Sequence, residues 1–429
     1  MFSSDNVDSG TQLLLSVFSR ILDEHRAGER PLPRRILDAG CGVGVIGICA
    51  ASAISALDAI HSQVYVRCQD RDELARLVTL HNAAKNGISP AMLEAHTEPL
   101  LAGPGPWDLV LSNIPAKAGE PVLEDFVHRS TSLLNPGGRV IVVIVRTLAD
   151  FFRARIAEAG AELFLEKKGP AHVVFVYGGV VSQNVFPDDS MRAEHTPSLQ
   201  DGVIDAGQSF FARYPFYFRA SASYKIEDIP VSIETIHGAS GFDAPGGVVL
   251  AAAKLIRRIG SPKLIVNSTA VLLVHEPGQG FFARWLLEFF RDNSGKDRTL
   301  VFSGRNILAL EAARHNIPQA SILPVADLRL GASALRETAG AQKYSFIAAF
   351  PELLPQSSLP KMHKDRQMAD QLAALWDALP LLLAEAGVFI VAFSSSEAER
   401  FDRKKPSGYT RLGSVKRNGF RALAYRLNE

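Results

Sequence analysis

The residues best suited to chemistry in this chain stand at three places, each at the end of an apolar run. Asp38 leads into a glycine-rich turn, Asp70 ends the next apolar run, and Asn113 ends a third. Carboxylates accept hydrogen bonds from hydroxyl groups and pair with cations, and an amide oxygen can hold an amine by its N–H groups. The pattern predicts a site for a polar ligand and for a second molecule that offers an amine.

The turn after Asp38 has the form of a ligand-binding loop. Gly40, Gly42 and Gly44 stand at alternate positions between an apolar strand and a small, apolar helix. Glycine allows positive φ and close approach of the backbone to a nucleotide-like ligand at a helix N-terminus. An acid two residues before the first glycine would repel a pyrophosphate but can pair with the α-amino group of S-adenosylmethionine (AdoMet). We therefore expect an AdoMet loop; another nucleotide and a plain structural turn are the alternatives.

Composition limits the class of protein. The chain has 429 residues, which predicts two or three domains, and 46 basic against 45 acidic side chains give a net charge of +1. That balance provides no global charge for nucleic acid binding. The three cysteines, Cys41, Cys49 and Cys68, lack metal-ligand spacing, so we expect no metal and a reducing, cytoplasmic setting. No apolar run approaches 18 residues, so we expect no membrane span.

Further residues are assigned to the cofactor site. Asp70 ends the predicted second strand, where a doubly wound sheet presents an acid to ribose hydroxyls, with Arg71 next to it. A solvated strand end is the alternative for Asp70, and Asp72 could cap the following helix. Near the N-terminus, Asp8 and Thr11 precede a leucine-rich helix. We place Asp8, Gly10 and Thr11 at the mouth of the cofactor site; a docked helix without such a role is the alternative.

Asn113 and Pro115 are the predicted catalytic residues. An amide at the carboxyl end of a strand, stiffened by a proline, can orient an acceptor amine through its C=O oxygen. Methyl transfer is an in-line displacement from a sulfonium, so alignment is the main requirement. An Asx turn that only ends the strand is the alternative. Residues 163–177 then predict a strand pair that completes the sheet.

Taken together, these stretches resemble the small methyltransferase domain of the ribosomal RNA guanine-N2 methyltransferases over residues 1 to about 178. The resemblance rests on Phe2-Ser3, Val7-Asp8-Ser9-Gly10-Thr11-Gln12-Leu13-Leu14-Leu15, Leu37-Asp38-Ala39-Gly40-Cys41-Gly42-Val43-Gly44-Val45 and Ser112-Asn113-Ile114-Pro115-Ala116-Lys117-Ala118-Gly119. It implies AdoMet binding at Asp38, Gly40 and Asp70 and amine positioning at Asn113. The family pattern is Asn-Pro-Pro followed by Phe or Tyr, which stacks on the base; here Ile114 and Ala116 replace the first proline and the aromatic residue.

The second half of the chain reads as a degenerate copy of the first. When the second half is aligned with the first by residue type, Glu276 matches Asp38 and Phe282 matches Gly44. Gly304 then matches Asp70, and Ala349 matches Asn113. Such a copy should keep the fold without catalysing. The family it resembles also pairs an intact with a degenerate domain, although the degenerate copy comes first there.

These observations predict an α/β protein of two tandem Rossmann-like methyltransferase domains with doubly wound, mostly parallel seven-stranded sheets. The expected boundaries are 1–180 for the catalytic domain, 181–222 for a linker and 223–429 for the degenerate domain. The expected substrate is an exocyclic amine of an RNA base, with a small amine, amide or natural product as the alternative. Homodimer formation through the second domain is a further alternative. A set of basic residues near the C-terminus is a candidate phosphate-contact surface: Arg400, Arg403, Lys404, Lys405, Arg411, Lys416, Arg417, Arg421 and Arg426.

Overall fold

The computed structural model describes residues 7–57, 64–180, 210–241, 243–260, 270–291, 298–353 and 364–428. The chain divides into two compact units, Met1–Phe216 and Tyr217–Glu429. The second unit therefore starts inside the segment predicted as a linker, because a strand that begins at Phe218 pairs with the strand that follows it. None of the described helices is both long enough and apolar enough to cross a membrane.

The first unit alternates strands with helices along most of its length. Its helices are α1 (Ser9–Arg26), α2 (Val45–Leu57), α3 (Glu73–Lys85), α4 (Glu120–Ser132), α5 (Ala149–Glu158) and the short α6 (Phe210–Arg213). Its strands are β1 (Arg35–Ala39), β2 (Tyr65–Asp70), β3 (Leu93–Thr97), β4 (Trp107–Asn113), β5 (Leu134–Val145), β6 (Ala161–Lys168) and β7 (His172–Val180).

These strands form one seven-stranded sheet in the order β3-β2-β1-β4-β5-β7-β6. Neighbouring strands from β3 to β5 are parallel, and β7 is antiparallel to both β5 and β6. The central strands are apolar on both faces, as in residues 140–144, because helices cover both sides of such a sheet. The predicted fold class and the strand pair β6–β7 are confirmed.

The second unit begins with a hairpin and then repeats the architecture. Its helices are α7 (Gly247–Ile259), α8 (Phe281–Phe289), α9 (Ile307–Asn316), α10 (Ala332–Thr338), α11 (Lys364–Leu382) and α12 (Ser395–Asp402). The hairpin is β8 (Phe218–Ile226) and β9 (Ile229–Ile236), and the sheet strands are β10 (Val271–His275), β11 (Thr299–Gly304), β12 (Ser321–Pro324), β13 (Tyr344–Ala349), β14 (Leu383–Ser394), β15 (Tyr409–Arg417) and β16 (Phe420–Leu427). The sheet order is β12-β11-β10-β13-β14-β16-β15, the same topology as in the first unit.

The strand pairings correct the register of the internal repeat. Ile36 pairs with Leu109 in the first sheet, and Leu272 pairs with Phe346 in the second. This places Val274, and not Glu276, at the position of Asp38. The same offset places Phe350, and not Ala349, at the position of Asn113, while Gly304 does correspond to Asp70.

The glycine loop of the second unit keeps the backbone shape of the first. Gly278 and Gly280 have φ of 56° and 97°, close to the 56° and 85° of Gly42 and Gly44. The second and third glycines are therefore present, and the prediction that Phe282 replaces the third glycine is wrong. The first glycine is the one replaced, by Glu276 with a φ of 56°. Matching the two acids by residue type shifted the alignment, since sequence letters do not report backbone φ.

Candidate active site

Three neighbouring strands bring the predicted site residues of the first unit to one edge of the sheet. The order β2-β1-β4 sets the carboxyl ends of these strands side by side, so Asp70, the glycine loop and Asn113 lie along the same edge. A hydrogen bond of 2.6 Å from the Ser112 hydroxyl to the Ala39 carbonyl ties the ends of β4 and β1 together. This edge, where the strand order reverses, is where ligands bind in doubly wound sheets.

Asp38 lies beneath the glycine loop and is fully buried. Its Oδ2 accepts a hydrogen bond of 2.8 Å from the Gly47 N–H in the first turn of α2, while its buried Oδ1 has no partner among the described residues. Burial raises the pKa of this carboxyl to about 7, against the lowering effect of the Gly47 bond, and the nearby Asp70 raises it further. A desolvated carboxylate with a spare oxygen favours a cationic partner.

The glycine loop bends over β1 and leaves open space beside Gly42. A Cβ added to Gly42 would meet no atom within 4 Å, whereas a Cβ on Gly44 would lie 2.8 Å from the Thr79 side chain. Gly44 also has a φ of 85°, so both its conformation and its contact with α3 require glycine. The Asn82 amide of α3 donates to the Val43 carbonyl at 2.9 Å, which fixes the loop on the helix.

Asp70 holds the other side of the loop. Its two carboxylate oxygens accept hydrogen bonds from the Gly42 N–H at 3.0 Å and the Asp72 N–H at 2.9 Å. Burial raises its pKa, and the two backbone bonds act in the opposite direction. Each oxygen keeps lone-pair capacity for a ligand hydroxyl. Asp72 caps α3 by accepting from the Leu74 N–H, and Arg71 is exposed on the surface next to Asp70.

Asn113 belongs to a hydrogen-bonded cluster with two residues of the N-terminal segment. Its Nδ2 donates to Thr11 Oγ1 at 3.0 Å and approaches the two Asp8 oxygens at 3.2 and 3.4 Å. Asp8 in turn caps α1, accepting from the Thr11 N–H at 2.9 Å and the Thr11 hydroxyl at 2.8 Å. Since an ionised carboxylate only accepts hydrogen bonds, these contacts fix the amide orientation. Asn113 Oδ1 accepts no hydrogen bond from any described residue.

The residues after Asn113 shape the rest of this edge. Ile114 is 3% exposed and belongs to the buried core. Pro115, Ala116 and Lys117 are exposed, and a short 3-10 helix spans Ala116–Ala118. The aromatic ring expected from the family pattern is therefore replaced by an exposed methyl group.

The sequence-predicted residues lie at the ends of three strands. The ends of β1 and β2 carry Asp38, the loop glycines, Asp70 and Arg71, and the end of β4 carries Asn113 and Pro115. The Thr11 hydroxyl lies against Asn113, where both its donor and its acceptor capacity are used within the cluster.

Besides Asn82, two residues that hold the loop were not found in the sequence analysis. They are Gly47, which donates to Asp38, and Thr79, which contacts Gly44. The glycine spacing could have indicated Gly47, since it follows Gly44 by three residues. No sequence signal points to Thr79.

The corresponding edge of the second unit lacks these features. Val274 and Phe350 are apolar and buried at the positions of the loop acid and the amide. The Glu276 carboxylate accepts from the Arg305 N–H at 2.9 Å and lies beside Gly304, where an added Cβ would be 2.8 Å from Glu276 Oε2. Glu276 therefore fills the space that an acidic side chain at Gly304 would need.

Residues 236–240 of the second unit cover the glycine loop of the same unit. The Gln279 side-chain amide exchanges two hydrogen bonds with the Ile236 backbone, at 3.0 and 3.1 Å. Asn306 donates to the Gly238 carbonyl at 2.9 Å. A Cβ on Gly278 would lie 3.5 Å from the Ser240 carbonyl oxygen, in contrast to the open space at Gly42.

Comparison with known proteins agrees with this geometry. Residues 1–156 match the family model described as methyltransferase small domain. A ribosomal protein L11 methyltransferase of Syntrophotalea carbinolica is 34% identical over 112 residues, which is 26% of this chain and 32% of the relative. A ribosomal RNA small subunit methyltransferase C of Actinobacillus pleuropneumoniae is 29% identical over 147 residues, which is 33% of this chain and 40% of the relative. The matched region thus spans two fifths of these relatives' length or less.

A solved structure matches over both units. A 16S rRNA N2 G1207 methyltransferase of T. thermophilus, solved with AdoMet and guanosine, covers 93% of this chain and 89% of its own, with a TM-score of 0.58 and 14% identity. This match supports the tandem fold. The fold of the first unit is therefore similar to that of class I AdoMet-dependent methyltransferase domains.

Proposed function

We propose that the protein is an AdoMet-dependent N-methyltransferase that acts on an exocyclic amine of an RNA base, of the ribosomal RNA guanine-N2 type. The observation that carries this proposal is the fixed amide of Asn113, whose oxygen remains available at the sheet edge that holds the glycine loop. The RNA substrate is supported by the activity named for the matched small subunit methyltransferases. We propose a cytoplasmic location as well, because Cys41, Cys49 and Cys68 are free thiols.

The residues of the first unit fit AdoMet by charge and shape. Asp70 would accept hydrogen bonds from the ribose hydroxyls, and the open side of Gly42 leaves room for the cofactor against the backbone. Asp38 Oδ1, buried and without a described partner, would be neutralised by the cofactor ammonium group. When bound, AdoMet supplies a methyl group on a sulfonium. Arg71 lies next to Asp70, and we propose that it adds contacts from the rim.

Asn113 and Pro115 would position the acceptor. Asn113 Oδ1 accepts an N–H of the amine, so the nitrogen lone pair is directed away from the amide and toward the methyl group. The carbonyl dipole also stabilises the positive charge that develops on nitrogen. Pro115 limits the motion of the backbone that follows. The amine can release its proton after transfer, so no residue is required to remove it beforehand.

The two domains would have different roles in the reaction. We propose that the domain of residues 1–180 catalyses, and that the domain of residues 223–429 holds the substrate. Its filled loop and buried Val274 and Phe350 argue against a second cofactor. A role in homodimer formation is the alternative for this unit, and sedimentation velocity of the full chain would detect it.

A small-amine methyltransferase is the competing function. The observation that favours it is Ala116, an exposed methyl group where the family pattern has a ring for base stacking. Stacking contributes about 1 to 3 kcal/mol per base, so its absence matters specifically for a nucleobase.

One experiment separates these functions. Labelled AdoMet is incubated with the protein and, in parallel, unmodified ribosomal subunits, total RNA, ribosomal protein and a metabolite extract. We expect label in the RNA of ribosomal subunits, as N2-methylguanine after digestion to nucleosides. Label confined to the small-molecule fraction would replace the RNA proposal with the small-amine function. Label confined to protein would also contradict it.

A further inference from the structure

Asp8 occupies an unusual position among the acids of the first unit. It precedes the first helix by one residue, yet its carboxylate reaches Asn113, which is 105 residues away in sequence. Both Asp8 oxygens are within 3.4 Å of Asn113 Nδ2, and both also accept from Thr11. Capping of α1 needs only one of these contacts, the bond from the Thr11 N–H.

We propose that Asp8 is a positioning residue that sets the polarity of the methyl-acceptor site. A free Asn side chain can present either its oxygen or its NH₂ group to a substrate, since the two orientations have nearly the same shape. An ionised Asp8 accepts from the NH₂ group and would be repelled by the oxygen. Asp8 therefore holds Asn113 with Oδ1 toward the acceptor, and the site selects a nucleophile that donates a hydrogen bond.

Thr11 completes the selection. Its hydroxyl donates to Asp8 at 2.8 Å and accepts from Asn113 Nδ2 at 3.0 Å, so its single proton is already directed away from Asn113. Thr11 is 6% exposed, which limits competition by water for these bonds. A Cβ on the neighbouring Gly10 would lie 3.0 Å from Asp8 Oδ1 and 3.2 Å from the His172 ring. A side chain at position 10 would therefore press on the Asp8 carboxylate or the His172 ring.

This inference rests on the proposed function for its catalytic consequence, but the orientation itself can be measured without a substrate. The first arm records the side-chain amide NMR signal of Asn113 in the full-length protein, assigned by its loss in Asn113→Ala. We expect this signal to shift as Asp8 is titrated with acid, and the shift to be absent in Asp8→Asn. An Asn113 signal that does not respond to acid in the wild-type protein would overturn the proposal, whatever the enzyme methylates.

Among the described residues, His172 is a second titratable side chain beside this cluster. It lies on β7 and its Nδ1 is 3.3 Å from the Ser9 hydroxyl. Protonation of His172 would persist in Asp8→Asn, so a shift that remains in this variant would be assigned to His172 and would count against Asp8.

The second arm measures turnover in the Asp8→Asn variant. Asn caps helices as well as Asp does, so helix stability should change little. The substituted amide has one acceptor oxygen, and its NH₂ group would face donor groups of Thr11 and Asn113 that the second carboxylate oxygen accepts from. We therefore expect kcat to fall about 10- to 100-fold, as for a misaligned acceptor. The dissociation constant of AdoMet should stay within about twofold, since the change affects the acceptor side. Asp8→Glu, which keeps the charge, should recover part of the lost turnover.

Two controls separate the possible failures. Ser394 caps α12 of the second unit, so Ser394→Ala shows what loss of a helix cap does to turnover away from the site. If the wild-type protein transfers no methyl group to RNA, the proposed function fails while the NMR arm still decides the role of Asp8. If the wild-type protein methylates RNA and Asp8→Asn retains kcat within about twofold, the positioning role is refuted.

Discussion

The affinity for AdoMet should depend on pH through Asp38. Burial raises the pKa of this carboxyl to about 7, so without ligand the carboxyl is mostly neutral below that pH. The proposed pairing with the cofactor ammonium group needs the ionised form. Binding below pH 7 must therefore release a proton from Asp38, and the observed affinity must fall as the solution becomes more acidic.

The size of this pH effect on AdoMet affinity follows from the release of one proton from Asp38 on binding. The affinity should be about tenfold lower at pH 6 than on the plateau above pH 7, and about a hundredfold lower at pH 5. An α-amino group loses its own proton near pH 8, so affinity should fall again above that value. Burial also raises the Asp70 pKa, and its ionisation adds to the acid side of the profile.

Titration calorimetry in two buffers of different ionisation enthalpy measures both the affinity and the protons released. The matched variant is Asp38→Asn, whose amide oxygen can still accept from the Gly47 N–H and so preserve the loop. This variant should bind more weakly at pH 7.5 and should lose the Asp38 part of the pH dependence. A wild-type affinity that is constant between pH 5 and 7.5 would refute the pairing between Asp38 and the ammonium group.

Three further outcomes are expected. Calorimetry should find one AdoMet site per chain, and two equivalent sites would contradict the interpretation that Glu276 fills the second glycine loop. Asp70→Ala should weaken AdoMet binding by about 1 to 3 kcal/mol, as for loss of a hydrogen bond to a charged group. Asn113→Ala should lower turnover far more than AdoMet affinity, because the amide faces the acceptor; normal turnover would remove Asn113 from the mechanism. Gly44→Ala should weaken AdoMet binding and lower the Tm, because φ is 85° and the added Cβ would lie 2.8 Å from Thr79; unchanged binding and Tm would show that the loop adapts.

The degenerate unit illustrates how a sequence repeat can be recognised and still be placed in the wrong register. The strand–loop–strand order and the Gly304 position followed from the sequence, because apolar runs and turns are local features. Aligning Glu276 with Asp38 was wrong by two residues. The strand pairings place Glu276 at the first glycine position, where it has a φ of 56°. The Glu276 side chain fills the space beside Gly304, so the acid at position 276 leaves no room for an acid at position 304.

The sequence by itself determined the tandem α/β fold, the glycine loop and the strand ends that carry Asp38, Asp70 and Asn113. These features depend on the local alternation of apolar runs, glycines and polar residues, which can be recognised directly in the sequence. Only the tertiary structure decided how the polar atoms are used. It directs Asp38 toward Gly47, and it sets Asp8 against Asn113 across 105 residues. Such contacts depend on how α1 packs on the sheet, and packing between distant segments leaves no periodic signal in the sequence.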